Sequence, residues 1–433
     1  MRNSYKVELS NTINSFKKIL EWSKRFSASC LLLSNDNDIK LPESYKKYDA
    51  IFAIGNSSEC FSKTDSLKQL SDWYNKNKDW SFGYISYELK NEIEDLTSNN
   101  QDNFDFFHIH FFKPKYVILF KDKNVYIESF CGLEEIKRIS KEIMYIEIPI
   151  IKNDSINLKP AENKKDYLKK IMLIKEHIKK GDIYEMNYCQ TFYEKNTPFN
   201  PEEVFFKINK ESKSPFSAFL KINHNYIICT SPERYICKNK NKILSQPIKG
   251  TRRRDFVYKE DQMLLNELKN SQKDISENIM ITDLVRNDLS KTANSKSVKV
   301  NELCQVYSFK QVHQMITTIS ATISQDIGVA DIISTTFPMG SMTGAPKKRA
   351  MELIEKYEVK MRGIFSGSIG YISPIEDFDF NVVIRSLIYN KKNKYLSVSS
   401  GGAITSKSDP EEEYEECLVK IQSIINSLKD NNC

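Results

Sequence analysis

Glycine is scarce in this sequence, with 13 in 433 residues, well under the roughly 7% of an average protein. The shortage is uneven, because nine of the thirteen stand at or after Gly250. A chain that avoids glycine elsewhere keeps it where backbone turns sharply or approaches a ligand, so the chemistry is expected in the second half. Also missing is any run of about 18 apolar residues, and with it a helical membrane span is excluded. The opening MRNSYKVELSNTINSFKK has no continuous apolar stretch, so a secretory signal is not expected. The nine cysteines contain no CxxC pair. An odd, unpatterned set suits reduced thiols and a cytoplasmic location better than a disulfide framework. The net charge is +7, but lysines are spread along the whole chain among Glu and Asp. A nucleic-acid partner would need a concentrated basic stripe with aromatic stacking groups, and none is expected.

Hydrophobic residues make up 40% and charged residues 28%, enough for a sizeable core and too apolar for disorder. The chain divides unequally. Residues 1–155 mix short apolar strands (Ser29–Leu33, Ala50–Ile54, Phe106–Phe112, Tyr116–Phe120) with polar helices, and Trp80–Leu89 reads as a strand. A polar stretch from Lys152 to Asp166 has linker character. The second region, 160–433, opens with an amphipathic helix carrying Leu168, Ile171, Met172, Ile174 and Ile178, which Gly181 ends. Ala218–Ile222, Tyr226–Cys229 and Arg234–Cys237 form an expected meander, with CKNKNK as a hairpin turn. Arg362–Tyr371, Phe380–Tyr389 and Tyr395–Ser399 are β-rich, which argues for an α+β fold rather than a doubly wound parallel sheet.

Four segments carry candidate chemistry. SPERYICKNKNKILSQPIKGT (Ser231–Thr251) delivers Lys249 just before Gly250 and Thr251; on this fragment alone Lys249 also reads as a surface lysine beside a turn. ENIMITDLVRND (Glu277–Asp288) begins a helix near Asp274, where Asp274 and Glu277 have capping-box spacing, so Glu277 is either a cap partner or a ligand. FPMGSMTGAPKKRAMELI (Phe337–Ile354) runs glycine-rich chain into a helix, as an anion site would, but lacks the Gly-Lys-Ser/Thr ending of a P-loop. SSGGAITSKSDPEEEYEECLVK (Ser399–Lys420) places Glu416 and Lys420 four apart on a helix that starts after Asp409 with Pro410. That pair is either an exposed salt bridge or a metal-binding carboxylate beside a cation for a substrate carboxylate.

In this order and spacing the four segments resemble the chorismate-utilising enzyme family, which includes anthranilate, aminodeoxychorismate, isochorismate and salicylate synthases. The similarity runs from about Asp166 to the end, and Trp80–Leu89 and FFKP (Phe111–Pro114) extend it into the N-terminal region. Lysine in PIKGT and the wording GSMTGAPK are the pattern of the aminodeoxychorismate branch, where anthranilate synthases usually carry alanine and GTLSGAPK. The resemblance implies two packed antiparallel β-sheets with outer helices, an N-terminal lobe over 1–155 and a chorismate-binding region over 160–433.

It also implies roles, position by position. Glu277 and Glu416 would hold Mg²⁺, Lys249 would attack C2 of chorismate, and Glu233 would assist loss of the C4 hydroxyl. Gly250, Thr251, His313, Ser341, Phe365, Arg385, Gly401, Gly402 and Lys420 would line the substrate site. Amination at C4 would use ammonia from a separate glutamine amidotransferase subunit and lead to 4-aminobenzoate and folate. Tryptophan is a possible ligand of the N-terminal lobe beside SPFSAF (Ser214–Phe219). A lysine nucleophile must be neutral, so burial or nearby cations, Arg252 to Arg254 among them, are expected to depress its pKa. The sequence departs from relatives at Phe365, where tyrosine or tryptophan is common, and at Ala403, where some carry a third glycine. Amination at C2, as in anthranilate synthases, and a non-catalytic regulatory or binding subunit are the alternatives.

Overall fold

A computed structural model describes residues 2–35, 47–149 and 156–429. Among the described residues, twenty strands form one hydrogen-bonded network, and the strand pairings are antiparallel. The network doubles over into two layers. One runs from Asn3–Lys6 through Asn124–Ser129, Ile109–Lys121, Ala50–Ser62, Ala28–Leu33, Phe216–Ile222, Asn225–Ser231, Ser386–Asn390 and Tyr395–Ile404 to Glu185–Glu194. The other passes from Ser81–Ile85 through Ser368–Ile372, Phe378–Asn381, Arg234–Asn239 and Lys242–Gln246 to Val312–Thr322, which also pairs Ile248–Arg253 and Lys299–Ser308.

The strand Ile109–Lys121 belongs to both layers. Its second half pairs with Asn124–Ser129 and its first half with Ser81–Ile85. The sequence reads as two strands here, but the chain continues through Pro114. Pro114 lies where the register with Asn56–Ser58 shifts, and a residue without an N–H is tolerated at such an irregularity. Trp80–Leu89 is shorter as a strand than expected: it ends at Ile85 and turns into a single 3₁₀ turn at Tyr87–Leu89.

Alternation sorts the first layer's side chains onto two cores. Cys30, Ala53, Leu220, Ile227 and Ile388 face the second layer, meeting Phe82, Ile236, Ile319 and Phe380. Leu31, Phe52, Phe219, Ile228 and Leu387 face outward onto the helices Ile13–Ser23, Leu133–Tyr145, Pro201–Ser212 and Pro410–Leu428. The result is two packed sheets with outer helices, as the family resemblance implied.

Strands from before and after residue 155 are interleaved: Ala28–Leu33 lies between Ala50–Ser62 and Phe216–Ile222. Residues 150–155, with the expected boundary and the start of the linker, lie outside the described residues. No helix among the described residues is long and apolar enough to cross a membrane.

Where the layers cross, Gly83 is pressed against the backbone of the neighbouring strand. A Cβ there would collide with the His110 carbonyl and come within 2.7 Å of Phe111 Cα. Backbone cannot yield as a side chain does, so Gly83→Ala is expected to destabilise the fold by about 2–4 kcal/mol. A lowered urea midpoint is the measurement.

Candidate functional site

Lys249 reaches the interior because its strand is irregular. Between Ile248 and Thr251 the pairing with Val312–Thr322 shifts register, and Gly250 takes φ +90°. Glycine adopts that conformation without strain. The helix Gln272–Ser290 closes behind the bulge, where the Asn278 side chain donates to the Lys249 carbonyl (3.4 Å) and to the Met315 carbonyl (3.2 Å). Asn278 in turn accepts from Thr317. Lys249 is 9% exposed, which removes its reading as a surface lysine.

Three carboxylates from three other segments face the Lys249 ammonium. Glu185 Oε1 is 3.5 Å from Nζ, and Glu277 and Glu233 act on it electrostatically. Burial works against the charge, yet the acids outweigh it and hold Lys249 above the ordinary lysine range. The sequence expectation was the reverse. Its premise fails because Arg252 pairs with Glu267 and Asp274, and Arg254 with Asp261, so both arginines serve other acids.

Glu233 is buried, and Ser341 Oγ donates to its Oε1 at 2.7 Å from the 3₁₀ turn Gly340–Met342. Burial pushes the Glu233 carboxyl up to about 7, while the Ser341 hydrogen bond and Lys249 pull the other way. Such a carboxyl holds a proton near neutrality and can donate it.

Glu277 is not a cap partner. Ser271 ends one helix and caps the next, its hydroxyl accepting from Asp274 N at 3.3 Å, so Glu277 lies within the helix and points at the site. Burial pushes it up to about 7, and its Oε1 is buried without a hydrogen-bond partner. Lys273, one turn earlier, interacts with Glu277 on its own helix and with Glu413 and Glu416 across the cleft; its Nζ is 3.7 Å from Glu413. An orphaned, buried carboxylate oxygen in a field of further acids fits a hard divalent cation. Among the described residues, however, no three acidic, histidine or cysteine side chains already converge as a metal cage. Two carboxylates, with water and other oxygens completing the shell, suit such an ion without a third protein ligand.

The helix Pro410–Leu428 supplies the far wall. Asp409 caps it as the sequence suggested, accepting from the N–H groups of Glu411 and Glu412. Lys420 Nζ pairs with Glu416 (2.6 Å) and donates to the Gly401 carbonyl (2.7 Å). Lys420 holds half-exposed Glu416 below the usual carboxylate range, against its desolvation. At Gly402 a Cβ would come within 2.8 Å of Glu413, so glycine lets this helix lie on the strand.

Arg385 comes from an interruption. The β-rich stretch Phe380–Tyr389 is split into Phe378–Asn381 and Ser386–Asn390, and Arg385 takes φ +51° between them. Its guanidinium donates to the Lys420 carbonyl (2.9 Å), and burial lowers its pKa to about 10. Beside it lies a cavity lined by Ser214, Thr230, Pro232 and Gln314.

Two candidates sit apart from this group. His313 is fully buried, with Ser308 at one ring nitrogen (2.8 Å) and Asp261 at the other (2.9 Å). Phe365 is in the core between the layers. Thr251 pairs with Gln314 on the strand beside the bulge. Sequence reasoning missed Glu185, Lys273, Asn278 and Glu413. Only Glu185 left a signal, as a lone charge opening the otherwise uncharged run EMNYCQTFY. The segment Ser214–Phe219 contributes to a separate cavity, where Pro215, Phe216 and Ser217 meet Ser34, Tyr48 and Tyr371.

Residues 30–426 match the protein family described as chorismate binding enzyme. Over 265 residues the chain is 39% identical to a probable chloroplastic aminodeoxychorismate synthase of Oryza sativa subsp. japonica, covering 60% of this chain and 29% of that protein. It is 38% identical over 268 residues to aminodeoxychorismate synthase component 1 of Escherichia coli (strain K12), covering 61% and 58%. The matched region thus spans less than two thirds of either relative's length. The crystal structure of anthranilate synthase component I from Streptococcus pneumoniae TIGR4 superposes with a TM-score of 0.77 at 21% identity, over 87% of this chain and 91% of that one. That likeness concerns the fold.

The raised Glu233 carboxyl has a consequence for stability. Its folded pKa of about 7 lies above the ordinary carboxyl value, so its contribution is full below about pH 4.5 and is lost as pH rises through 7. Glu233→Gln has no such loss. Relative to wild type, the variant is expected to gain stability between pH 5 and pH 8, which urea denaturation across that range will measure.

Proposed function

The chain belongs to the family of chorismate binding enzymes, and on that premise we propose that it is the chorismate-aminating chain of an aminodeoxychorismate synthase, converting chorismate and ammonia to 4-amino-4-deoxychorismate. The observation that carries this reading is the burial of Lys249 within electrostatic reach of the buried Glu233. A nucleophilic amine and a carboxyl that keeps its proton near pH 7 are what displacement of a hydroxyl through a conjugated ring requires. Lys249 bonds to C2, the ring double bonds shift, and the C4 oxygen leaves as water with the Glu233 proton. Ammonia then bonds to C4 and Lys249 departs from C2. Ser341 keeps the Glu233 carboxyl aimed at the leaving oxygen. Arg385 and Lys420 supply positive charge for the substrate's carboxylates.

Glu277 and Glu416 are the residues that would hold Mg²⁺, which when bound supplies Lewis-acid charge to the ring carboxylate. The orphaned Glu277 oxygen supports this assignment. The ammonia source in this reading is a glutamine amidotransferase partner in the cytoplasm, and the product feeds 4-aminobenzoate formation for folate. For the cavity at Pro215–Ser217, tryptophan is the proposed ligand, since aromatic Tyr48, Phe216 and Tyr371 line it together with Ser34 and Asn381. Amination at C2 is disfavoured because a lysine beside that carbon blocks it to ammonia.

Incubation of the chain with chorismate, Mg²⁺ and ammonium, followed by coupling to a 4-amino-4-deoxychorismate lyase, is expected to yield 4-aminobenzoate. Lys249→Ala should lose about 100-fold or more. Anthranilate as the wild-type product would replace this reading with its C2-aminating rival. Separately, Mg²⁺ is expected to raise the melting temperature of the wild type in the presence of chorismate, and Glu277→Gln should abolish the shift.

A further inference from the structure

The mechanism above leaves one problem and one residue unused. Lys249 rests as an ammonium, yet it must attack as an amine. Glu185 stands against it without a role. This carboxylate is 1% exposed; its Oε1 is 3.5 Å from Lys249 Nζ, and its Oε2 is buried with no hydrogen-bond partner. A buried carboxylate with an unfilled oxygen costs stability, and a purely structural ion pair would be expected to satisfy both oxygens. Its backbone is fixed as well. Tyr184 N–H donates to the Ala345 carbonyl at 2.7 Å, and a Cβ at Gly344 would collide with the Glu185 carbonyl, so the two segments are locked in contact.

We propose that Glu185 is the proton shuttle of Lys249, a catalytic base and acid for the amination. The assignment rests on the reading of Lys249 as the nucleophile. Glu185 takes one proton from the Lys249 ammonium. The freed lone pair forms the N–C2 bond as the C4–O bond breaks, and the oxygen leaves as water with the proton of Glu233. When ammonia bonds to C4 and the C2–N bond breaks, the departing Lys249 amine recovers its proton from Glu185. The surplus proton on the new C4 ammonium restores Glu233. No oxidant, reductant or further reactant enters.

The charged groups around this pair come from each neighbouring element. Glu277 of the helix Gln272–Ser290 acts on both Glu185 and Lys249, and Glu233 acts on Lys249 from the start of the strand Arg234–Asn239. Neither is paired directly with Lys249, so Glu185 is the acceptor in reach.

The test compares initial rates of the full chain with chorismate, Mg²⁺ and ammonium from pH 6.5 to 9.5, for wild type, Glu185→Gln, Glu185→Asp, Lys249→Ala and the Lys249→Ala/Glu185→Gln double variant. Glu185→Gln is expected to lose about 100-fold in kcat near pH 7 with KM for chorismate unchanged. The deficit should shrink about tenfold per pH unit as hydroxide replaces the missing base. Glu185→Asp keeps a carboxylate, so its profile should stay parallel to wild type, which also guards against a Gln variant that fails to fold. In the Lys249→Ala background the second substitution should cost nothing further, because Glu185 acts only through Lys249. A Glu185→Gln enzyme as fast as wild type or faster would overturn the proposal, since Glu185 would then merely hold the ammonium. A loss that is constant with pH, or that multiplies with Lys249→Ala, would overturn it too. Wild type yielding anthranilate or no product would instead defeat the reading of the site, before Glu185 is in question.

Discussion

A lysine ammonium buried at 9% exposure is tolerable only if carboxylates come with it, and Lys249 is surrounded by Glu185, Glu233 and Glu277. Those acids arrive on a sheet strand, a chain segment before a second strand, and a long helix. Glu185 is the acid paired directly with Lys249, so removing it would leave the ammonium without its partner in a place water does not reach. Much of the surrounding geometry serves this cluster. The register shift and Gly250 turn Lys249 inward, Asn278 ties the bulge to the helix, and the glycine-rich turn before Lys347 presses on the strand that carries Glu185.

The same cluster divides the pocket electrically. Near Lys249, burial raises the Glu233 carboxyl to about 7, so a proton is available there at neutral pH. On the opposite wall Lys420 holds Glu416 ionised, with Arg385 close behind. Lys273 lies between the halves and faces acids from both. One side is therefore suited to moving protons and the other to fixing charge, a separation that a substrate with two carboxylates and a leaving hydroxyl would exploit.

Much of this was legible beforehand. Glycine scarcity pointed to the second half of the chain, and residues of PIKGT, ENIM, GSMTGAPK and the Glu416–Lys420 helix are linked through Lys249 with Glu277, Glu233 with Ser341, and Lys273 with Glu416. Misreadings were local and had physical causes. Asp274 looked like a cap, but Ser271 caps the helix because a preceding helix ends there. Phe380–Tyr389 looked continuous because it is β-rich at both ends, although Arg385 adopts a left-handed conformation within it. Phe106–Phe112 and Tyr116–Phe120 looked like two strands, but one strand, Ile109–Lys121, runs through Pro114, where a bulge in the partner strand absorbs the missing N–H.

By itself the sequence determined the α+β class, many of the strands, the helices that flank the candidate site, the caps at Asp409 and Gly181, and the short list of groups able to do chemistry. These are set by local periodicity, by backbone preference and by residue type, which act within a few positions. What only the tertiary structure decided is which charges face one another. Glu185 and Lys249 are 64 positions apart, and Arg252 is near Lys249 in sequence yet spends its charge on Glu267 and Asp274. Electrostatic energy depends on distance through space and on burial, and neither is written along the chain. So the pKa of Lys249, expected to fall, rises once folding has chosen its neighbours.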